Sequence, residues 1–247
     1  MLSLSAEDPR AVAVVGAIQG GSIETLRQLL RDDPALAKAR IIDHRGVGRT
    51  LLHIAADWPG HFANGATTVD VLAAAGADVN ARVQHTAASA SPETALHWAA
   101  SSDDVAVLKA LLDAGADIEA DGAVHTGGSA MSDAVVFAQW NAARRLLERG
   151  ARTTIWQAAA LGLLERVQSC CANEPRPTSR DITNAFWHAC RGGQLSTTTY
   201  LADQGADVNW TGYDGMTPLD AAHESGNDAV VKWLTSIGSR RSHGASR

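Results

Sequence analysis

The sequence has little that would anchor it in a membrane or cross-link it covalently. Its 247 residues include three cysteines, of which Cys170 and Cys171 are adjacent, and this set does not suit a disulfide framework. The longest apolar stretches, such as residues 11–18, fall short of the roughly 20 residues that a membrane-spanning helix requires. Residues 1–8 lack the basic start and the apolar core of a signal peptide. We therefore expect a cytoplasmic protein that does not contact membranes.

Positive charge is also scarce. The chain has 21 Lys and Arg residues against 27 Asp and Glu residues, which gives a formal net charge of −6. Nucleic-acid surfaces need clustered Lys and Arg. The basic cluster that the chain does contain lies in its last residues, within a Ser- and Gly-containing segment that we expect to be a disordered tail over 239–247. The sequence therefore predicts no nucleic-acid partner.

Several familiar catalytic and cofactor-binding motifs are missing. The sequence has no G-x-x-x-x-G-K-[ST], H-E-x-x-H, C-x-x-C or G-x-S-x-G motif, so we expect neither a cofactor nor a metal ion. Aromatic residues make up only 5% of the chain, yet seven are Trp against two Tyr and three Phe. Where these Trp residues lie becomes a question about function.

One short sequence recurs along the chain. It reads TALHWAA at 94–100, TLLHIAA at 50–56 and TPLDAA at 217–222, and copies end in GADVN at 76–80 and 205–209 and in GADIE at 115–119. These residues resemble the ankyrin repeat. The Thr suits a helix N-cap, Pro218 costs no hydrogen bond in a first turn, and the Gly suits a left-handed helix end. The resemblance implies an all-α solenoid of paired antiparallel helices joined by irregular hairpin fingers.

The resemblance covers nearly the whole chain. We count about seven units, starting roughly at residues 10, 47, 94, 129, 153, 182 and 214. We expect one solenoid over 1–238, with an N-terminal cap at about 8–40 and repeats at about 47–238. The charged caps predict a monomer. The chain resembles the stand-alone bacterial type of ankyrin-repeat protein.

Departures from the repeat indicate where function lies. The turn of the second copy carries about five extra residues inside 57–65, and the finger at 82–93 is long. Aligned on their Thr, four copies place Trp98, Asp133, Gln157 and His188 at the same position of the first helix. The further candidates for ligand or partner binding are Asp57, Trp58, Asp103, Trp140, Trp210 and Tyr213.

Each candidate also has a structural interpretation. In the family, the ring of His53 or His97 would link neighbouring repeats by hydrogen bonds. Asp57 and Asp103 suit helix or turn caps as well as a site. Trp98 and His188 suit the core equally well, whereas an Asp at position 133 would be costly in an Ala/Val helix unless it has a partner.

Two functions follow from these interpretations. Ankyrin solenoids generally bind proteins, so the resemblance implies a binding module that engages a protein partner through its concave face. The alternative is a small-molecule binder or a cofactor-free acid/base enzyme of a specialised pathway with an aromatic-walled pocket. In that alternative Asp133 would act as base, His188 as acid, and Arg191 would hold a substrate anion.

Overall fold

The structure, a computed structural model, describes residues 2–85 and 92–242. Within these ranges fourteen α-helices alternate with short turns, and three short strands lie near the N-terminus. The helices are α1 Pro9–Gln19, α2 Ile23–Asp32, α3 Leu51–Ala56, α4 Gly65–Ala74, α5 Ala95–Ser101, α6 Val105–Asp113, α7 Ala130–Val136, α8 Trp140–Glu148, α9 Ile155–Ala160, α10 Leu164–Ala172, α11 Ser179–Arg191, α12 Leu195–Asp203, α13 Pro218–Glu224 and α14 Asp228–Ser236. The strands are β1 Ser3–Ser5, β2 Arg40–Ile42 and β3 Gly48–Thr50.

Contacts divide the chain into two compact units, Met1–Ala151 and Arg152–Arg247. In the first unit α1, α3, α5 and α7 pack side by side, and α2, α4, α6 and α8 form a second layer. In the second unit α9, α11 and α13 form one layer, and α10, α12 and α14 form the other. Buried Ala and Leu residues fill the space between the layers. The one solenoid over 1–238 stays a prediction.

The recurring Thr starts the first helix of a repeat as expected. The side chain of Thr50 accepts a hydrogen bond from the backbone N–H of His53, and Thr94 and Thr217 form capping boxes with His97 and Asp220. Pro218 occupies the first turn of α13, where its missing N–H costs nothing. These caps fix the first turn of each helix and so the direction of its side chains.

Short β-strands connect the N-terminal segment and the first fingers of the first unit. Strand β1 runs parallel to β2, which pairs antiparallel with β3. Isolated bridges join Gly48 to Gln84 and Arg82 to Thr94. The strand at Ser3–Ser5 lies before the first predicted helix, and no pattern in the sequence predicts it.

Two helices of the second unit differ from the register that the sequence predicts. Helix α9 begins after Thr154 rather than Thr153, because Thr154 and Gln157 form the capping box. Helix α11 begins at Ser179, before the predicted start at 182, because Thr178 and Asp181 cap an additional turn. The additional turn replaces a finger at this junction.

The last described residues contact α13. Asp220 occupies the position that His53 and His97 hold in other copies, and its carboxylate accepts from the backbone N–H of Ser242 and from the guanidinium of Arg241, each at 2.9 Å. These bonds lower the pKa of Asp220 despite its burial. The disordered tail predicted over 239–247 stays a prediction for 243–247, which lie outside the described residues.

Candidate functional site

The inserted loop of the second copy joins α3 to α4 and is bonded to both neighbouring copies. The backbone N–H of His61 donates to the Asp104 carboxylate at 2.7 Å, and the His61 ring bonds the carbonyl of Ser102 at 3.1 Å. On the other side, the amide of Asn64 donates to the carbonyl of Gly21 at 2.9 Å. The loop is therefore fixed at three points.

This loop presents Trp58 to solvent. Its side chain is 82% exposed, the largest exposure among the large hydrophobic residues of the described chain. Its backbone N–H donates to Asp57 at 2.9 Å, and Asp57 pairs with Arg49 at 2.8 Å. Burial raises the pKa of Asp57, although Arg49 opposes the shift. Asp57 thus acts as a local anchor next to an exposed Trp.

A groove of about 340 Å³ lies beside this anchor. Its walls come from α1, β2, β3, α3 and Ala6, the residue after β1, and the paired side chains of Arg49 and Asp57 are among its lining residues. Val12, 58% exposed, adds apolar surface. Asp57, one of the residues predicted from the sequence, therefore lines a groove of the first unit.

Trp98 contacts a carboxylate that the sequence analysis missed. Its indole N–H donates to Glu93 at 3.2 Å, and its ring meets the ring of His53 edge-on at 5.0 Å. Burial raises the pKa of Glu93, against the effects of Trp98, His85 and His125. Glu93 directly precedes the Thr of the recurring sequence, so a carboxylate at this position of a long finger is the signal that could have found it.

Asp133 lies buried in α7. Its side chain is 1% exposed, and neither carboxylate oxygen has a hydrogen-bond partner in the described part of the chain. Burial, helped by the charge of Glu93, raises the pKa of Asp133 to about 8. The backbone of Val124 opposes the shift, although it forms no hydrogen bond with the Asp133 carboxyl group. At neutral pH Asp133 is therefore protonated, which suits a proton donor rather than the base role predicted from the sequence.

The two His of the recurring sequence have structural roles. The His53 ring bonds the Thr50 hydroxyl at 2.8 Å and the carbonyl of Glu93 at 3.2 Å. His97 makes the same two contacts, with Thr94 at 2.9 Å and with the carbonyl of Gly128 at 3.2 Å. Burial lowers the pKa of His53 to about 4, so its ring stays neutral. Each ring thus fixes the finger of the following copy, as the resemblance implies.

Asp103 acts as a cap between copies. It adopts a left-handed φ of 56°, and its carboxylate accepts from the backbone N–H of Ala142 at 2.7 Å and from the amide of Asn141 at 2.8 Å. Trp140 is half-buried at the start of α8. These contacts hold the start of α8 against the preceding turn.

In the second unit, Gln157 caps the N-terminus of its own helix, α9. Its side-chain oxygen accepts from the backbone N–H of Thr154 at 2.8 Å. Trp98, Asp133, Gln157 and His188 each lie five residues before a residue with positive φ, namely Asp103, Ala138, Gly162 and Gly193. Counted from the N-cap, however, Gln157 is the third residue of α9, the place that His97 holds in α5, so the equivalence of the four positions stays a prediction.

His188 is packed among aromatic rings. Its ring centroid lies 4.7 Å from that of Trp156, 5.0 Å from that of Trp187 and 5.6 Å from that of Tyr213. The side chain is 4% exposed, and its Nδ1 has no partner in the described residues. Burial lowers the pKa of His188 to about 3, and Arg191 adds to the shift. A ring that is neutral at pH 7 does not suit the predicted acid role.

The remaining candidates surround this cluster. The guanidinium of Arg191 lies 5.7 Å from the centroid of the Trp187 ring. The Trp210 and Tyr213 rings meet edge-on at 5.9 Å, and the Tyr213 hydroxyl donates to Asn184 at 3.1 Å. Tyr213 is 51% exposed. The structure thus brings His188, Arg191, Trp210 and Tyr213 together in the second unit, whereas Asp133 belongs to the first.

The described residues were also compared with the requirements of a metal site and of a membrane-spanning helix. Across residues 2–85 and 92–242, no three His, Cys, Asp or Glu side chains are grouped so that they could hold a metal ion. In the same residues, every helix is too short or too polar to cross a membrane.

Comparison with protein families agrees with the helix pairs and the His-to-finger contacts. The family described as ankyrin repeats (3 copies) matches residues 63–157 and 155–241. Comparison with curated proteins gives no match. The matched segments cover well over half of the chain, and together with the observed fold they show that the chain belongs to the ankyrin-repeat family.

Proposed function

We propose that this protein is a binding module whose protein partner contacts the Trp58 loop, residues 57–64. Ankyrin repeats are generally protein–protein interaction modules. Fold alone does not identify a contact surface, which has to come from particular side chains. The observation that carries the proposal is the exposure of Trp58 on a loop that three hydrogen bonds fix to its neighbours.

An exposed Trp on a fixed loop suits recognition for two reasons. Trp is enriched among the residues that dominate binding energy, since it buries a large area with few rotatable bonds. A loop held in place loses little conformational entropy when a partner binds. The adjoining groove with Val12 at its wall extends the apolar surface that a partner would cover.

The second unit offers a further contact surface. Tyr213 is exposed beside the half-buried Trp210, in the segment that leads into α13. A Tyr whose hydroxyl is bonded to Asn184 presents its ring in a fixed orientation. We propose that the same partner or a second one contacts this segment.

Affinity purification with variant baits tests the proposal. Tagged wild-type protein, Trp58→Ala, Trp58→Phe and Ile237→Ala would each be recovered from cells of the source organism, and bound proteins would be quantified by mass spectrometry. Ile237 is an exposed hydrophobic residue of the second unit and serves as the matched control. We expect a partner to be retained by wild type, Trp58→Phe and Ile237→Ala and to fall at least about tenfold with Trp58→Ala, since a central Trp is typically worth about 2 kcal/mol or more. Equal recovery with Trp58→Ala would refute the assignment.

A further inference from the structure

Helix α1 has a second face beside the one that packs into the core. Three apolar side chains of this helix are buried in the first unit, namely Ala11, Val14 and Ile18. Four other residues of the helix line the groove of about 340 Å³ described above, namely Val12, Val15, Gly16 and Gln19. Their spacing of three and four residues places them on one side of the helix. Val12 is 58% exposed, so the described chain leaves this face partly open.

Gly16 leaves space in this face. A glycine inside a helix is less favourable than an alanine, because it loses more backbone entropy on folding. The backbone of Gly16 does not have a positive φ, and a Cβ at this position would meet nothing within 4 Å in the described chain. Neither conformation nor packing therefore requires a glycine here. The missing side chain makes the groove deeper instead.

The lining of the groove carries no net charge. Its remaining apolar walls come from Ala6, Ile41 and Ile54. The charged residues that line it are Arg49 and Asp57, which pair with each other at 2.8 Å. A charged side chain placed against such walls would lose its hydration and find no opposite charge that is not already paired. The lining therefore favours an uncharged, apolar occupant.

The groove adjoins the Trp58 loop. Asp57 lines the groove, and its carboxylate accepts a hydrogen bond from the backbone N–H of Trp58 at 2.9 Å. A partner that contacts the exposed Trp58 ring is therefore next to the groove. A volume of about 340 Å³ lies at the lower end of the range for ligand pockets, so it suits one large side chain with its adjoining backbone.

We propose that the protein partner inserts one large apolar side chain, a Leu, Ile, Met or Phe, into this groove beside Gly16. The inference rests on the proposed function, since the partner that contacts the Trp58 loop supplies the inserted residue. This side chain contacts Val12 and Val15 of α1 and Ile54 of α3. It binds by burial of apolar surface and forms no ion pair with the groove.

Selection from a phage-displayed library of random linear peptides tests the site without the natural partner. The library would be selected on the full-length wild-type protein, and the enriched peptides would be synthesised with a fluorescent label and measured by anisotropy. We expect these peptides to share a Leu, Ile, Met or Phe whose replacement by Ala weakens binding at least about tenfold. Replacement of the same peptide residue by Asp or Lys should abolish binding, because the groove offers no unpaired opposite charge.

A change in α1 locates the binding. Gly16→Leu places a side chain in the open space of the groove and should weaken binding of the peptides at least about tenfold. The variant should fold, since Leu is a better helix former than Gly, and circular dichroism would check this. Ala13→Leu is the matched control, because Ala13 is exposed on the same helix and is not one of the groove residues. Asp70→Asn, which removes an exposed carboxylate of α4, should also bind as wild type does.

Trp58→Ala, measured with the same peptides, separates this inference from the proposed function. Weaker binding in both Gly16→Leu and Trp58→Ala supports the groove and the loop together. Weaker binding in Gly16→Leu alone supports the groove and counts against the Trp58 loop. Weaker binding in Trp58→Ala alone supports the loop and overturns the groove. Enriched peptides without a shared apolar residue, or no enriched peptide on the folded wild-type protein, would also overturn the proposal.

Discussion

The carboxylate of Asp104 accepts a hydrogen bond from the backbone N–H of His61, 2.7 Å away and 43 residues earlier in the chain. The same carboxylate caps α6 by accepting from the backbone N–H of Val107 at 3.0 Å. Asp104 is 2% exposed, so both bonds are shielded from water. One side chain therefore fixes the start of a helix in one copy and the Trp58 loop of the copy before it.

Replacing Asp104 with Ala should loosen the loop and the helix together. The variant loses a helix cap and leaves the N–H of His61 without its partner, so we expect the free energy of unfolding to fall by about 2 kcal/mol. Amide hydrogen exchange should become faster in residues 57–64 and in the first turn of α6. Chemical denaturation and exchange mass spectrometry measure the two effects, with Asp70→Asn as control. Unchanged exchange in the loop would show that other contacts hold it.

Asp133 makes stability depend on pH in the direction opposite to an ordinary paired carboxylate. Its pKa is about 8 in the folded chain against 3.8 as the reference value, so the folded state holds one more proton between these limits and stability falls as the pH rises. Asp133→Asn removes this proton. Its free energy of unfolding relative to wild type should therefore rise by up to about 1.4 kcal/mol per pH unit between roughly pH 5 and 7.5. Urea titrations across this range measure it, and a constant difference would contradict the burial of an unpaired acid.

His188 should lower the stability of the protein at acidic pH. Its pKa is about 3 in the folded chain against a reference of 6.5, so the unfolded state binds the additional proton and stability is lost as the pH falls below 6.5. His188→Phe cannot take up that proton. The free energy of unfolding of the variant, relative to wild type, should rise by up to about 1.4 kcal/mol for each pH unit as the pH falls from roughly 6 to 4. Parallel loss of stability in both proteins would place the acid sensitivity elsewhere.

A glycine sets the approach of α11 to α9. Gly192 has an ordinary φ of −77°, but a Cβ there would lie 2.1 Å from the carbonyl oxygen of Ala160. Gly192→Ala should destabilise the second unit by about 1–3 kcal/mol, because backbone has to move. The matched control is Gly16→Ala within α1, where a Cβ would meet nothing within 4 Å. It should stabilise the chain by about 0.5–1 kcal/mol. Thermal denaturation shows whether each variant is less or more stable than wild type. Equal changes in stability for the two variants would contradict the close approach of Gly192 to Ala160.

The helices were predictable because the chemistry that starts and ends them is local. Thr50, Thr94 and Thr217 lie at fixed spacing before Ala- and Leu-rich turns, and this is enough to identify the repeat. The start of α9 was not predictable, since Thr153 and Thr154 are equally good caps and only the bond to Gln157 selects the second.

The site was less accessible to sequence reasoning than the fold. Asp133 attracted attention as an acid in an apolar helix, but Glu93, whose charge helps to raise the pKa of Asp133, lies 40 residues earlier in a finger, and no periodicity links the two positions. The aromatic cluster around His188 joins α9, α11 and the segment before α13, so its members have no common motif. The contacts that form these sites join residues far apart in the sequence. The repeat pattern predicts only the positions that the copies share, so it does not predict such contacts.

Site-specific photo-crosslinking tests the central claim most directly. A photoreactive amino acid would replace Trp58 in one strain of the source organism and Ile237 in another, and crosslinked products would be identified after illumination of living cells. We predict a discrete crosslink to one protein from position 58 and none to that protein from position 237. Absence of a crosslink from position 58, or the same products from both positions, would contradict the assignment of the Trp58 loop as the partner surface.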